Sequence, residues 1–184
     1  SWSSDNSQYL RALKNTLYPE VRVMWTGNSV VDFINKGDVT WINQRIGRKA
    51  YIWLNYPVTD YCIRHLLMGP TFGDDLTIAN DLSGYTSNPM EYAEASMLSL
   101  YSIADYTWHM KTYDSNASWE RAIKYLMPRN HEAFHVFCEH NVDLGANGHG
   151  LRRMNESVAF KAAAEAFKTA IANGYNAEAV KSMK

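Results

Sequence analysis

The chain has 184 residues, a net charge of -1, 46% hydrophobic and 20% charged residues, the balance of a globular domain long enough to bury a core. That charge excludes the Lys/Arg-dense face of a nucleic-acid-binding surface. No run of about 18 apolar residues offers a membrane span, and two cysteines are too few for a disulfide scaffold.

Aromatic residues stand at 13%, with six Trp and twelve Tyr, a composition that suits stacking on flat sugar faces as well as ordinary packing. Cys62 and Cys138 each sit among apolar residues and read as buried free thiols. The polar start, Ser1-Trp2-Ser3-Ser4-Asp5, does not read as a signal peptide. Taken along the chain, residues 6–17 predict a helix with Asn6 or Ser7 as cap and Leu10, Leu13 and Leu17 on one face. Residues 21–26 (VRVMWT) are a short β-rich run closed by Gly27. Residues 29–34 and 40–46 have helical spacing around a turn at Lys36-Gly37-Asp38. Residues 50–54 (AYIWL) are the next strand, a long irregular segment with Pro57, Gly69, Pro70 and Gly73 follows, and 82–86 (LSGYT) is a third strand. Helices are predicted over 91–106, 116–127 and 131–141. A glycine-rich loop at 145–150 precedes an alanine-rich helix over 157–173.

Strand–helix alternation predicts an α/β fold with parallel strands. Three strands cannot close a barrel but fit the C-terminal portion of one. The expected organisation is residues 1–150 as the C-terminal part of a (β/α)8 barrel and 151–184 as the start of a helical segment. In such barrels ligands bind at the C-terminal ends of the strands. The residues there are Thr26, then Trp53, Asn55 and Asp60, then Asn88. An indole floor with amide and carboxylate groups at its edge suits a polyol, although Asn and Asp also occupy such positions simply as turn formers.

The motifs MWTG (24–27), WLNYPVTD (53–60), LMGP (67–70), SGYTSNPM (83–90) and DLGANGHGLRR (143–153) occur in that order. Over about residues 1–157 the chain resembles the bacterial O-GlcNAcase-like β-N-acetylglucosaminidases, family 84 of the glycoside hydrolases. The resemblance implies a barrel that removes terminal β-linked N-acetylglucosamine with retention, the sugar's own acetamido oxygen attacking the anomeric carbon to form an oxazoline. Such substrate assistance is an exception to the two-carboxylate scheme. It implies that Thr26 and Trp53 shape the acetamido pocket and that Asn55 lies beside the reacting centre. Asp60 would accept hydrogen bonds from sugar hydroxyls, most naturally O4 and O6, and Asn88 would hold the hydroxyl edge. Leu54 departs from relatives that often carry a second Trp there. The implied catalytic Asp pair and its supporting Tyr are expected before residue 1, so no catalytic residue is assigned within the chain, and the missing N-terminal part of the barrel is its expected partner. The chain alone is expected to be inactive. Implied substrates are N-acetylglucosamine-containing glycans or glycoproteins, with no cofactor, and the resemblance leaves the compartment open with a lean toward periplasm or export.

Asp74-Asp75 is an adjacent acidic pair, but it follows LMGP in a loop and reads as a solvated turn or helix cap. Glu91 and Glu94 open a helix, where carboxylates suit the dipole. His149, Arg152 and Arg153 fit either the cleft rim or a solvated face. A non-catalytic carbohydrate-binding remnant is the first alternative, with self-association expected through an unpaired strand edge. The second is a zinc peptidase: His131-Glu132-Ala133-Phe134-His135 fits H-E-x-x-H, with Glu156 at a plausible third-ligand spacing. Against it, His131 falls in the first turn of its helix, and family-84 relatives do not use His there.

Overall fold

The computed structural model describes residues 7–63, 65–142, 156–172 and 174. The chain divides into two compact units, Ser1–Met154 and Asn155–Lys184. In the first, α1 (Gln8–Thr16) leads to β1 (Met24–Trp25), α2 (Lys36–Ile46), β2 (Tyr51–Leu54), β3 (Gly84–Ser87), α3 (Ala93–Trp108), α4 (Ser115–Leu126) and α5 (His131–Glu139). The described part of the second unit contains α6 (Val158–Ala172). The strands are parallel in the order β1-β2-β3, with Trp25 opposite Ile52 and Trp53 opposite Thr86. This is the α/β arrangement expected of part of a (β/α)8 barrel.

Local chemistry sets the helix starts. The Ser7 hydroxyl accepts from the Leu10 amide at 3.3 Å and the Asp114 carboxylate from the Ala117 amide at 2.7 Å, so each caps a first turn. One expectation is corrected at α2. Residues 29–34 are irregular, and Lys36-Gly37-Asp38 is the first turn of the helix rather than a break. Asn35 is extended, and its side-chain oxygen accepts from the Asp38 amide at 2.9 Å while its Nδ2 donates to the Asp38 carboxylate. That reciprocal cap outweighs the helix-weakening Gly37. Val31 and Ile34 are nevertheless buried, at 1% and 0% exposure; their apolar spacing serves an irregular loop packed on the sheet.

The sheet is two-faced. On β2, Ile52 and Leu54 are buried while Tyr51 is half-buried and Trp53 exposed. Ile52 and Leu54 join Ile34, Val39, Ile78 and Ile103 in the main core. Parallel sheets usually bury both faces, and the Tyr51–Trp53 side is the one that these residues leave less covered. Gly84 seats the Tyr51 ring on that face: a Cβ there would lie 2.1 Å from Tyr51 Cε2.

The long segment between β2 and β3 has little regular structure, so its buried carbonyls need side-chain donors. They find them on α3, on α4 and between the two. Ser99 Oγ lies 2.8 Å from the Leu67 and Gly69 carbonyls, Trp119 Nε1 donates to Met68 O at 2.8 Å, and the Tyr113 hydroxyl donates to Thr71 O at 2.6 Å. The buried Ser99 and Ser102 give α3 a small polar face on which this segment lies, while Ser96 donates to Met90 O at 3.3 Å.

The adjacent acidic pair splits into two roles. Asp75 behaves as expected of a cap. Its carboxylate takes the Thr77 amide and hydroxyl at 2.7 and 2.6 Å and the Lys36 amide at 3.3 Å, bonds that hold its carboxyl below the usual range, the Thr77 hydroxyl foremost. Asp74 is not a solvated turn. It is 7% exposed, and it accepts from the Ile34 amide at 2.9 Å and the Tyr85 hydroxyl at 3.0 Å. It ties the segment to the residues before α2 and to β3.

Candidate functional site

Side chains alternate across a strand, so Trp53 and Asn55, two apart, fall on one face of β2. Asn88 follows β3 and is drawn beside them when its amide donates to Leu54 O at 2.8 Å. Asn55 Oδ1 accepts from Trp53 Nε1 at 2.9 Å and from Asn88 Nδ2 at 3.1 Å, and Asn55 Nδ2 donates to Val30 O at 2.7 Å. Its oxygen therefore has both lone pairs engaged. One of its two N–H bonds is spent on Val30, which leaves the other for a ligand among the contacts of the described residues.

The two partners of this amide oxygen, Trp53 and Asn88, line different cavities. One, of about 460 Å³, is lined by Trp25, Thr26, Gly27, Trp41 and Trp53 among others. The other, of about 500 Å³, is lined by Thr59, Asp60, Ile63, Asn88 and Glu91 among others. Thr26 and Trp53 thus share one cavity, Asp60 and Asn88 share the next, and Asn55 bonds to a member of each. Trp53 presents a flat indole at 37% exposure, and Asp60 is exposed.

The Asp60 charge is felt nearby. The half-buried Cys62 thiol is pushed above its ordinary pKa, first by burial and then by Asp60. Cys138 is fully buried, and its thiol is pushed up to about 12 by burial alone. Free thiols were expected at both positions, but full burial holds only for Cys138.

Glu91, expected only to open a helix, lines the Asp60 cavity, while α3 begins at Ala93 after Tyr92. Asp32, which no sequence pattern marks, holds the loop behind Thr26. The glycine-rich loop at 145–150, with His149, Arg152 and Arg153, lies outside the described residues.

The H-E-x-x-H residues do sit on one helix, α5. The His135 nitrogens already have partners: Nδ1 lies 3.2 Å from Glu120 Oε1 and Nε2 3.6 Å from Glu139 Oε1. The ring stands edge-on to the buried Trp119, with centroids 4.8 Å apart. No group of three or more His, Cys, Asp or Glu able to hold a metal occurs among the described residues. Glu156 belongs to the second compact unit.

The family model for beta-N-acetylglucosaminidase, NAGidase, matches residues 2–139. The Protein O-GlcNAcase of Rattus norvegicus is 32% identical over 108 residues, covering 58% of this chain and 12% of that protein. The Mus musculus Protein O-GlcNAcase is 32% identical over 104 residues, covering 56% and 11%. Among solved structures, CpGH84D is similar with a TM-score of 0.81 at 31% identity, covering 97% of this chain and 30% of that one. An O-GlcNAc hydrolase mutant from Thermobaculum terrenum gives 0.80 at 26% identity, covering 96% and 38%. The chain thus spans about an eighth of the curated relatives' length and about a third of these solved chains.

Proposed function

The chain belongs to the beta-N-acetylglucosaminidase family, and on that premise we propose that its cleft wall binds the N-acetylglucosamine unit of a glycan or glycoprotein in a retaining, substrate-assisted glycoside hydrolase. The observation that carries this reading is the Asn55 amide, bonded to Trp53 on one side and to Asn88 on the other. Of its two partners, Trp53 lines a roomy, partly aromatic cavity and Asn88 a carboxylate-edged one, the two environments that suit a ligand carrying both an acyl group and hydroxyls.

In this reading Thr26 and Trp53 shape the acetamido cavity, the indole giving a flat apolar wall. Asn55 keeps one N–H directed to the ligand beside the reacting centre. Asp60 accepts from the sugar hydroxyls, a charge-assisted bond stronger than a neutral one, and Asn88 holds the same edge. The bound sugar's acetamido oxygen closes onto the anomeric carbon, so the wall must hold that group in attack geometry. This is the positioning that makes an intramolecular reaction fast.

The catalytic acids are assigned outside these 184 residues. Asp74 and Asp75 do not serve, because their oxygens are bonded to Ile34 and Tyr85, and to Thr77 and Lys36. The 184 residues alone are expected to be inactive, and the rest of the barrel is their proposed partner.

The test compares aryl N-acetyl-β-glucosaminide with the matching aryl β-glucoside, using the full-length protein with and without a zinc chelator. Cleavage that needs the acetamide and ignores the chelator supports the reading. Equal cleavage of both substrates overturns substrate assistance. Loss of activity on chelation makes the glycoside cleavage metal-dependent and overturns the proposed mechanism, and sugar binding without turnover favours a carbohydrate-binding module.

A further inference from the structure

We infer that Asp32 is a positioning residue that sets how tightly the Thr26 cavity fits the acyl group of its ligand. The inference rests on the reading of that cavity as the acetamido site.

Residues 26–28 (Thr26, Gly27 and Asn28) form part of the cavity lining. Asp32 does not line it but lies behind this rim. Its Oδ2 accepts from the Asn28 amide at 2.7 Å and the Ser29 amide at 3.2 Å, and its Oδ1 accepts from the Phe33 amide at 2.9 Å. The Ser29 carbonyl in turn accepts the Thr26 hydroxyl at 3.5 Å. One carboxylate therefore fixes the backbone to which Thr26 is tied.

Gly27 shows how close this packing is. Its φ is +105°, a conformation side chains rarely adopt, and a Cβ there would fall 2.7 Å from Asp32 Cβ and 2.9 Å from Asp32 Oδ2. The Asp32 side chain rests on the bare α-carbon of the rim. Further along, the Asn55 amide holds Val30 and Asp74 holds Ile34. The loop is pinned at three places, and Asp32 is the pin nearest the cavity.

A carboxylate suits the place because it offers two acceptor oxygens to three amides. An asparagine offers one oxygen and turns an NH₂ toward backbone donors, so Asp32→Asn keeps the shape while loosening the rim. Gly27→Ala loosens the same contact from the other side.

The experiment measures kcat/KM of the full-length protein on aryl β-glucosaminides bearing N-acetyl, N-propanoyl and N-butanoyl groups. Wild type is compared with Asp32→Asn, Asp32→Ala and Gly27→Ala. A single methylene in a fitted pocket changes kcat/KM by about 10–200-fold, so a loosened rim should make the dependence on chain length flatter, with the acetyl-to-propanoyl ratio shifting by about 3–10-fold. A partly unfolded variant lowers all three rates together and leaves the ratio alone. Wild-type cleavage with ratios unchanged in all three variants overturns the inference and leaves the proposed function standing. A wild-type protein that cleaves none of the substrates overturns both.

Discussion

At the scale of single residues, the site divides into groups legible in the sequence and groups that only tertiary structure reveals. The proposed contacts Thr26, Trp53, Asn55 and Asn88 can be picked out in the sequence because each lies at or just beyond the end of an apolar run, where an α/β barrel places its ligand contacts. Asp32 and Asp74 cannot. Asp74 bonds to the Ile34 amide 40 residues away, and Asp32 acts on a loop whose apolar spacing imitates a helix. Cys62 offers a reporter on the site. Its thiol is raised by burial and by the Asp60 charge, and only the thiolate reacts. Raising the pKa leaves less thiolate at a given pH, so Asp60→Asn should speed alkylation of Cys62 at pH about 8. Cys138, held up at about 12 by burial, should stay unreactive in both proteins. Peptide mapping after iodoacetamide labelling reads this directly, and an unchanged Cys62 rate would deny the coupling to Asp60.

At the scale of elements, most helices and the three parallel strands were legible, while the ordering of the long segment before β3 was not. Periodicity marks α3 as amphipathic, but it does not say that Ser99 and Ser102 receive a loop rather than water. That role depends on groups about 30 residues earlier, the Leu67 and Gly69 carbonyls for Ser99 and the Thr71 amide for Ser102. The start of α2 was misplaced for a related reason: residues 29–34 bury Val31 and Ile34 without being helical, so apolar spacing there recorded burial rather than helix. The two adjacent aspartates make this distinction measurable. Asp74→Ala removes the acceptor of the buried Ile34 amide and should cost about 1–3 kcal/mol. Asp75→Ala removes bonds from a less buried carboxylate and should cost about 1 kcal/mol, as loss of a cap does. Urea unfolding midpoints of the two variants should separate in that order, and equal midpoints would contradict the different burial of the pair.

At the scale of the molecule, the sheet has one face packed on helices and one carrying Tyr51 and Trp53 toward the open. β1 and β3 are its outer strands among the described residues, and Met24 on β1 is 55% exposed. Outer strands with apolar neighbours promote pairing with other chains, so the 184 residues expressed alone should self-associate. Light scattering that shows a monomer, with a sharp unfolding transition, would contradict this. Trp53 on the less covered face of the sheet belongs to the proposed sugar-binding wall, for which Asp60 is the proposed charged acceptor. The most direct test is the hydrolysis of aryl N-acetyl-β-glucosaminide by the full-length protein, wild type against Asp60→Asn. Losing a hydrogen bond to a charged acceptor costs about 1.5–3 kcal/mol, or about 10–150-fold. The account predicts turnover by wild type and a fall of that size in kcat/KM for the variant. Turnover that is indifferent to Asp60→Asn would place the sugar elsewhere and contradict it.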